Sequence, residues 1–426
     1  MRNKGTHHRH RESVHGRGYF RRLGPGMITG AADDDPSGIG TYSQVGAGFR
    51  FQLLWTAIIA LPLAAAVQET TARLGLITGK GLASIIREHY RTWVLWVAVT
   101  LVTAANTFNI GADLGSMAAA TRLIIPVPTV ILVVFFAVAM ALLEIFIPYH
   151  QYARVLKWLC LAIVSYILVL LVVDIQWGDV ARNTFVPNMN FTKSTIAALI
   201  AIFGTTISPY LFFWQTSEEV EELKDRNHGD TTLCVKRDQL RAMRGDVVVG
   251  MGSGVIVMFA IMVTAGATIG KSGSVTISTA EQAAAALEPL AGRFTSLLFT
   301  LGILGTGLLA VPVLAGSTAY ALSETFGWRE GLSLKMTQAK AFYGVIVASM
   351  FAGLAMNLVG VDSVRTLYFA AVLNGLAAPP LILIILLLAR RNDVLGPRRS
   401  NLKSQALVGL AALTITALPV LYFFAN

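Results

Sequence analysis

Charge is scarce in this chain. Asp, Glu, Lys and Arg make up 14% of its 426 residues, where a soluble domain carries about 25%. Cysteine is nearly absent: Cys160 and Cys234 stand alone, one in an apolar run and one in a charged stretch. That pair excludes a disulfide framework, and two unpaired thiols are expected. No cleavable leader is expected either. The first 22 residues are polar and basic, so insertion through the chain's own helices is expected. What the chain has instead is apolar sequence, 54% of the total. Apolar stretches of roughly 20 residues, the length of a membrane-crossing helix, recur from end to end. The class is an all-α polytopic membrane protein.

Eleven spans are expected, near Leu23–Phe49, Phe51–Ile77, Val94–Ile124, Val127–Ile147, Val155–Ile175, Ile196–Trp214, Val247–Ile269, Phe294–Phe326, Phe342–Val359, Leu367–Leu388 and Ala406–Phe424. With the N-terminus in the cytoplasm, most of the 34 Lys and Arg fall in cytoplasmic segments. That asymmetry is the positive-inside rule. It places the C-terminus outside and the protein in the cell (inner) membrane. The net charge of +10 therefore reflects topology, and the expected partners are the lipid bilayer and no nucleic acid. Residues 1–22, with His7, His8, His10 and His15, are expected as a disordered cytoplasmic tail. Glu218 to Arg244 reads as a solvated cytoplasmic loop. The Ala-rich stretch Ser278 to Leu290 reads as a short outer helix.

The anomaly is Asp33-Asp34-Asp35-Pro36-Ser37-Gly38, set inside the first apolar span. Carboxylates in hydrocarbon cost several kcal/mol unless they face water or a cation. Pro36 removes a backbone donor and Gly38 loosens the helix at the same place. Broken backbone at membrane depth survives only where it is buried in protein or lines an aqueous cavity. Freed carbonyls beside a carboxylate are hard-oxygen ligands, suited to magnesium, calcium or manganese. In a regular helix Asp34 and Asp33 would point about 100° and 200° away from Asp35. All three then cannot face one ion, and Asp34 is assigned to the pathway beside it.

The sixth span repeats the break at Gly204-Thr205-Thr206-Ile207-Ser208-Pro209-Tyr210. Spans one and six are five apart, and an odd offset inverts their orientation. Two broken spans at corresponding positions of inverted halves point to a midplane substrate site in a secondary transporter. The expected domain is a single transmembrane unit over 23–426. Repeat one covers about 23–175, repeat two about 194–390, and an extra helix about 404–424.

At these breaks the sequence resembles the Nramp family of divalent metal transporters. The matching stretches are Gly24-Pro25-Gly26, Asp35-Pro36-Ser37-Gly38, Ala72 to Lys80, Ala112-Asp113-Leu114 and Gly204 to Tyr210. The resemblance implies a LeuT-like fold of two inverted five-helix repeats. The chain departs from the family where ligands sit. Ser37-Gly38 ends a motif that elsewhere reads Asp-Pro-Gly-Asn, which removes an amide oxygen. Ser208-Pro209-Tyr210 replaces Met-Pro-His, which removes a soft sulfur and a histidine. Ser116 stands where the family has a third-helix glutamate. This pattern resembles the Nramp-related magnesium transporter branch, and it implies a roomy site for a hydrated hard cation.

The metal site is therefore assigned to Asp35, the backbone at Ala32 and Thr205, and Gly38 and Ser208. Asp34, Asp113, Tyr210 and Asn374 are pathway candidates. Glu69 and Glu144 are expected to pair with Arg73 and Lys157, and the Gly302, Gly305 and Gly307 run to permit close helix packing. The function expected is transport of divalent metal cations, broad for hard ions such as magnesium and manganese, without obligatory proton coupling. The alternative is a proton-coupled manganese or iron transporter of the standard Nramp type. No cofactor is expected, since the divalent ion is the substrate. An intramembrane aspartyl protease built on Asp35 and Asp113 lacks the Gly-x-Gly-Asp motif, because Gly111-Ala112 precedes Asp113. A permanent channel suits paired broken helices poorly, and three aspartates would repel the carboxylate of an amino-acid substrate.

Overall fold

Proline and the residues before it decide where the first membrane segment breaks. In this computed structural model, which describes residues 24–147, 164–187, 190–226, 235, 237–272, 275–358 and 363–424, α1 (Pro25–Asp33) ends just before Asp34. The chain resumes as α2 (Pro36–Phe49). Pro36 occupies the first helical position, where its missing amide proton costs nothing. Asp35 precedes it in extended backbone and caps the helix. The same grammar recurs at α9 (Lys193–Thr206) and α10 (Pro209–Arg226), which flank Ile207 and Ser208.

Between the two breaks lie α3 (Trp55–Thr78), α4 (Leu82–His89), α5 (Thr92–Arg122), α6 (Thr129–Phe146), α7 (Val164–Val169) and α8 (Trp177–Phe185). After α10 come α11 (Arg237–Ala267), α12 (Ala280–Ala284), α13 (Glu288–Ala291), α14 (Thr295–Phe326), α15 (Lys340–Leu358), α16 (Ser363–Arg390), α17 (Asn392–Leu395) and α18 (Leu402–Phe424). Among the described residues every regular element is helical. Eight helical stretches are long and apolar enough to cross a membrane.

The eleven expected spans differ from those eight for identifiable reasons. The first span is two short halves. The second, α3, carries Gln68-Glu69-Thr70-Thr71 and Arg73 in one stretch, which dilutes its apolar character. The fifth is described only from residue 164, where α7 is six residues long, and the N-terminal tail, Cys160, Cys234 and Lys157 lie outside the described residues.

The broken helices form the interior. α1 and α2 lie along α11, α10 along α3, α9 along α16, and α5 along α14. Small residues allow these approaches, as they do in membrane bundles generally. A methyl added at Gly250 would overlap the Gly26 carbonyl, and one at Gly30 would overlap the Gly250 carbonyl. Backbone therefore meets backbone along this seam. A methyl at Gly307 would lie 2.5 Å from the Met117 sulfur, so this glycine of the expected packing run does let α14 close on α5. The outer helices instead expose apolar side chains, among them Val130, Ile131 and Phe135 on α6 and Leu413, Phe423 and Phe424 on α18. Lipid is the solvent that suits them.

One expectation is overturned. The sixth span does not give way at Trp214 to a solvated loop: α10 runs on to Arg226, and Glu218, Glu219 and Glu221 are buried. They stay inside because polar groups meet them there. Glu219 accepts a hydrogen bond from Gln215 Nε2 at 3.0 Å. Glu221 takes the Leu332 amide at 2.7 Å, the Ser333 amide at 3.2 Å and the Tyr320 hydroxyl. The Ala-rich stretch is helical as expected, with Thr279 and Gln282 forming a capping box at the start of α12.

Candidate cation site

The two breaks meet in the protein interior, and side-chain hydroxyls hold them together. Asp35 Oδ1 accepts the Gly38 amide and the Ser37 hydroxyl, each at 2.7 Å. The carboxylate thus caps α2, yet a carboxylate offers about four acceptor positions, so capping does not exhaust it. Ser37 Oγ lies 3.4 Å from Thr205 Oγ1, and the Tyr42 hydroxyl 3.0 Å from Thr206 Oγ1. These contacts fasten α2 to α9.

The carbonyls freed at the breaks are met by hydroxyls from the residues of the sixth-span motif. Tyr210 donates to the Ala32 carbonyl at 2.8 Å. Ser208 donates to the Thr205 carbonyl at 2.7 Å and the Gly204 carbonyl at 2.9 Å. Asp35, Ala32, Thr205, Ser208 and Tyr210 are thus brought together. Gly38 joins them through its amide, and a side chain there would meet the Asp33 carbonyl and the Tyr42 ring at 3.3 Å.

Asp113 lies on α5, fully buried, within electrostatic reach of Asp35. Neither of its carboxylate oxygens has a hydrogen-bond partner among the described residues. Ser116, one turn on, donates to the Asp113 carbonyl at 2.8 Å and does not reach the carboxylate. None of the ion pairs among the described residues involves Asp33, Asp34, Asp35 or Asp113. Such a concentration of buried acid without basic partners is costly unless protons, water or a cation balances it. Two helix C-termini, those of α1 and α9, end at this centre and turn their partial negative charge toward it.

Asn374 on α16 is buried, and its Oδ1 accepts from Asn109 Nδ2 at 2.9 Å. It ties α16 to α5 one turn before Asp113. Glu69 pairs with Arg73 as expected, and Arg244 of α11 joins them at 3.2 Å. Glu144 is buried, and its carboxylate oxygens have no partner among the described residues.

Several participants escape notice in the sequence. Tyr42 and Ser317 look like ordinary helix residues, yet Ser317 donates to the Tyr210 carbonyl at 2.8 Å. Thr29 donates to Gln215 Oε1 at 2.5 Å and links α1 to α10 away from the breaks. Their only signal is a hydroxyl or amide in an apolar run, which is too common to single out.

The family model for Nramp, natural resistance-associated macrophage protein-like, matches residues 26–425. The divalent metal cation transporter MntH of Caldanaerobacter subterraneus subsp. tengcongensis is 24% identical over 382 residues, covering 87% of this chain and 85% of that protein. The MntH of Burkholderia ambifaria is 26% identical over 406 residues, covering 93% of this chain and 87% of that protein. Among solved structures, the manganese transporter of Eremococcus coleocola aligns with a TM-score of 0.76 at 19% identity, over 96% of this chain and 87% of that one. Mhp1, a nucleobase-cation-symport-1 family transporter, aligns at 0.55 and 14% identity, over 95% of this chain and 94% of that one. The LeuT-like architecture that the resemblance implies is thereby observed. The similar proteins are transporters, so the chain is not an enzyme and the aspartyl protease reading falls. With the match running over nearly its whole length, the chain belongs to the Nramp family.

Proposed function

We propose that this protein is a secondary transporter that moves divalent metal cations across the membrane through the centre between α1–α2 and α9–α10. The observation that carries this reading is Asp35, buried at a helix break among freed carbonyls and lacking any basic partner among the described residues. The ion is the substrate, and Asp35 with the Ala32 and Thr205 carbonyls and Ser208 forms its site. Magnesium and manganese both suit this all-oxygen set, since no sulfur or imidazole is present in it to favour softer metals. Tyr210 and Ser208 donate to the carbonyls, which favours an ion that keeps part of its water shell. Magnesium gives up waters reluctantly and fits that requirement. The N-terminus is cytoplasmic, the C-terminus lies outside, and the membrane is the inner one. The repeats span about 23–175 and 194–390.

Transport does not depend obligatorily on protons in this reading, because Ser116 does not titrate and a tyrosine stands at position 210. One observation favours the coupled alternative: Asp113 is a buried acid whose carboxylate oxygens have no partner among the described residues. Reconstitution in liposomes tests the main proposal. Uptake of magnesium, manganese and calcium is compared for the natural protein and Asp35→Ala. The natural protein should carry magnesium and manganese, and Asp35→Ala should fold, insert and fail to do so. Near-normal uptake by the variant would remove the central claim.

A further inference from the structure

The outer side of α5 carries a row of hydroxyls, Thr100, Thr103 and Thr107, repeating at helical spacing. Together with Trp96, Leu322 of α14 and Met356 of α15 they line a groove of about 370 Å³. That volume lies within the range of about 300–1,000 Å³ common to ligand pockets. From Trp96 to Thr107 the helix rises about 16 Å, close to half of a hydrocarbon core about 30 Å thick. The groove is therefore one leaflet deep.

Its Trp96 end is aromatic and cationic. The Trp96 ring meets the Phe326 ring edge-on with centroids 5.6 Å apart, and Phe326 stacks on Trp328 at 4.7 Å. All three rings are exposed. Arg87 reaches the same place from α4, where its Nη1 donates to the Thr325 carbonyl at 3.2 Å. That bond uses one of the five N–H donors of a guanidinium. Arg87 is exposed and makes no ion pair among the described residues. The adjacent Glu88 is engaged with Lys80 at 2.7 Å. Glu330 lies within electrostatic reach of Arg87, but burial pushes its carboxyl up to about 9, so it is uncharged near neutrality.

We propose that this groove binds one anionic glycerophospholipid, its acyl chain lying between α5, α14 and α15 and its phosphate on Arg87. Arginine pairs with phosphate through parallel N–H bonds, and tryptophan rings settle at the level of lipid headgroups. A neutral lipid would fill the groove and leave the guanidinium unanswered, so the charge selects the occupant. The lipid lies against helices that support the ion site. Asn106 of α5 donates to the Leu314 carbonyl of α14 at 3.1 Å and to Thr318 at 3.0 Å. Ser317 and Tyr320 of α14 bond in turn to Tyr210 and Glu221 of α10. A chain packed beside Leu322 steadies the α5–α14 pair, whichever ion the protein carries.

The test is native mass spectrometry of the full-length protein in detergent, with phosphatidylglycerol or phosphatidylcholine of the same chains added. Melting temperatures are measured on the same samples. The natural protein should retain a single phosphatidylglycerol under activation that strips phosphatidylcholine, and phosphatidylglycerol should raise its melting temperature more. Ala104 lines the groove and is exposed, so Ala104→Phe fills the space without entering the core. That variant should lose both the retained lipid and the stabilisation. Arg87→Gln should bind the two lipids alike. Phosphatidylglycerol with brominated chains locates the chain in the natural protein, because its quenching of tryptophan fluorescence should drop in Trp96→Phe. Equal retention of both lipids by the natural protein overturns the proposal. So does phosphatidylglycerol retention that survives both Ala104→Phe and Arg87→Gln, or quenching unchanged in Trp96→Phe.

Discussion

The Tyr210 hydroxyl donates to the Ala32 carbonyl across 2.8 Å and so joins the end of α1 to the start of α10. Both ends of this bond lie in the protein interior, and both belong to half-helices that border the breaks. Tyr210 is anchored in turn through its own carbonyl, which takes the Ser317 hydroxyl of α14. One residue therefore couples three helices at the level of the site.

Removing that hydroxyl has an expected outcome. Tyr210→Phe keeps the ring in place and loses one buried hydrogen bond, worth about 1 kcal/mol net. Thermal unfolding in detergent should register a loss of that order. The Ala32 carbonyl becomes available to the ion, so the apparent KM for manganese in liposome uptake should fall several-fold. An unchanged KM would show that this carbonyl is not recruited.

A second prediction concerns selectivity. Ser208→Met with Gly38→Asn returns a thioether and an amide oxygen to the two breaks. Competition of cadmium and manganese against magnesium uptake should then shift toward the softer metals. The Gly38→Asn change needs small movements, since a Cβ at that position would meet the Asp33 carbonyl and the Tyr42 ring at 3.3 Å. Identical competition curves would place selectivity outside these positions.

Proton coupling is decided with a pH dye trapped in liposomes. Metal added outside should enter without acidifying the interior. Acidification that accompanies uptake and disappears in Asp113→Asn would make Asp113 a proton carrier and favour the coupled alternative.

Glu330, in the connection after α14, gives a prediction about stability. Burial, and next the nearby Glu324 carboxylate, push its carboxyl up to about 9. In the unfolded chain an ordinary glutamate releases its proton near about 4.3. Between these values the folded state holds a proton that the unfolded state has lost, so stability falls as pH rises from about 5 to about 9. Glu330→Gln keeps the neutral form at every pH. Melting temperatures measured across that range should decline less steeply in the variant. Parallel curves would show that Glu330 does not titrate in this window.

Much of the architecture was legible in the sequence, and the reason is physical. Long apolar runs can satisfy their backbone in lipid only as helices, and Pro36 and Pro209 mark the two breaks without any tertiary information. The Glu69–Arg73 pair was legible because four residues along a helix bring side chains together. Glu218, Glu219, Glu221 and Glu222 misled because carboxylates crowded together resemble a solvated loop. The burial of Glu221 depends on the backbone amides of Leu332 and Ser333 and the hydroxyl of Tyr320. Those partners are far along the chain, and local sequence does not reveal them. The directions of Asp33 and Asp34 were equally hidden. A regular helix separates them, whereas the break turns both toward Gly254 of α11.

The seam between α1 and α11 is made of backbone on backbone at Gly26, Gly30 and Gly250. At its start, Asp246 of α11 accepts the Gly26 amide at 2.7 Å and the Met27 amide at 3.3 Å. Interlocking side chains resist rolling of one helix over another, because each knob must climb out of its hole. A track of bare glycines offers no such teeth. α1 can therefore shift along α11 only by letting go of three latches, Asp246 at its start, Gln215 along its length and Tyr210 at its end. Enlarging any of the three glycines would instead wedge the two backbones apart, whatever it did to the ion site.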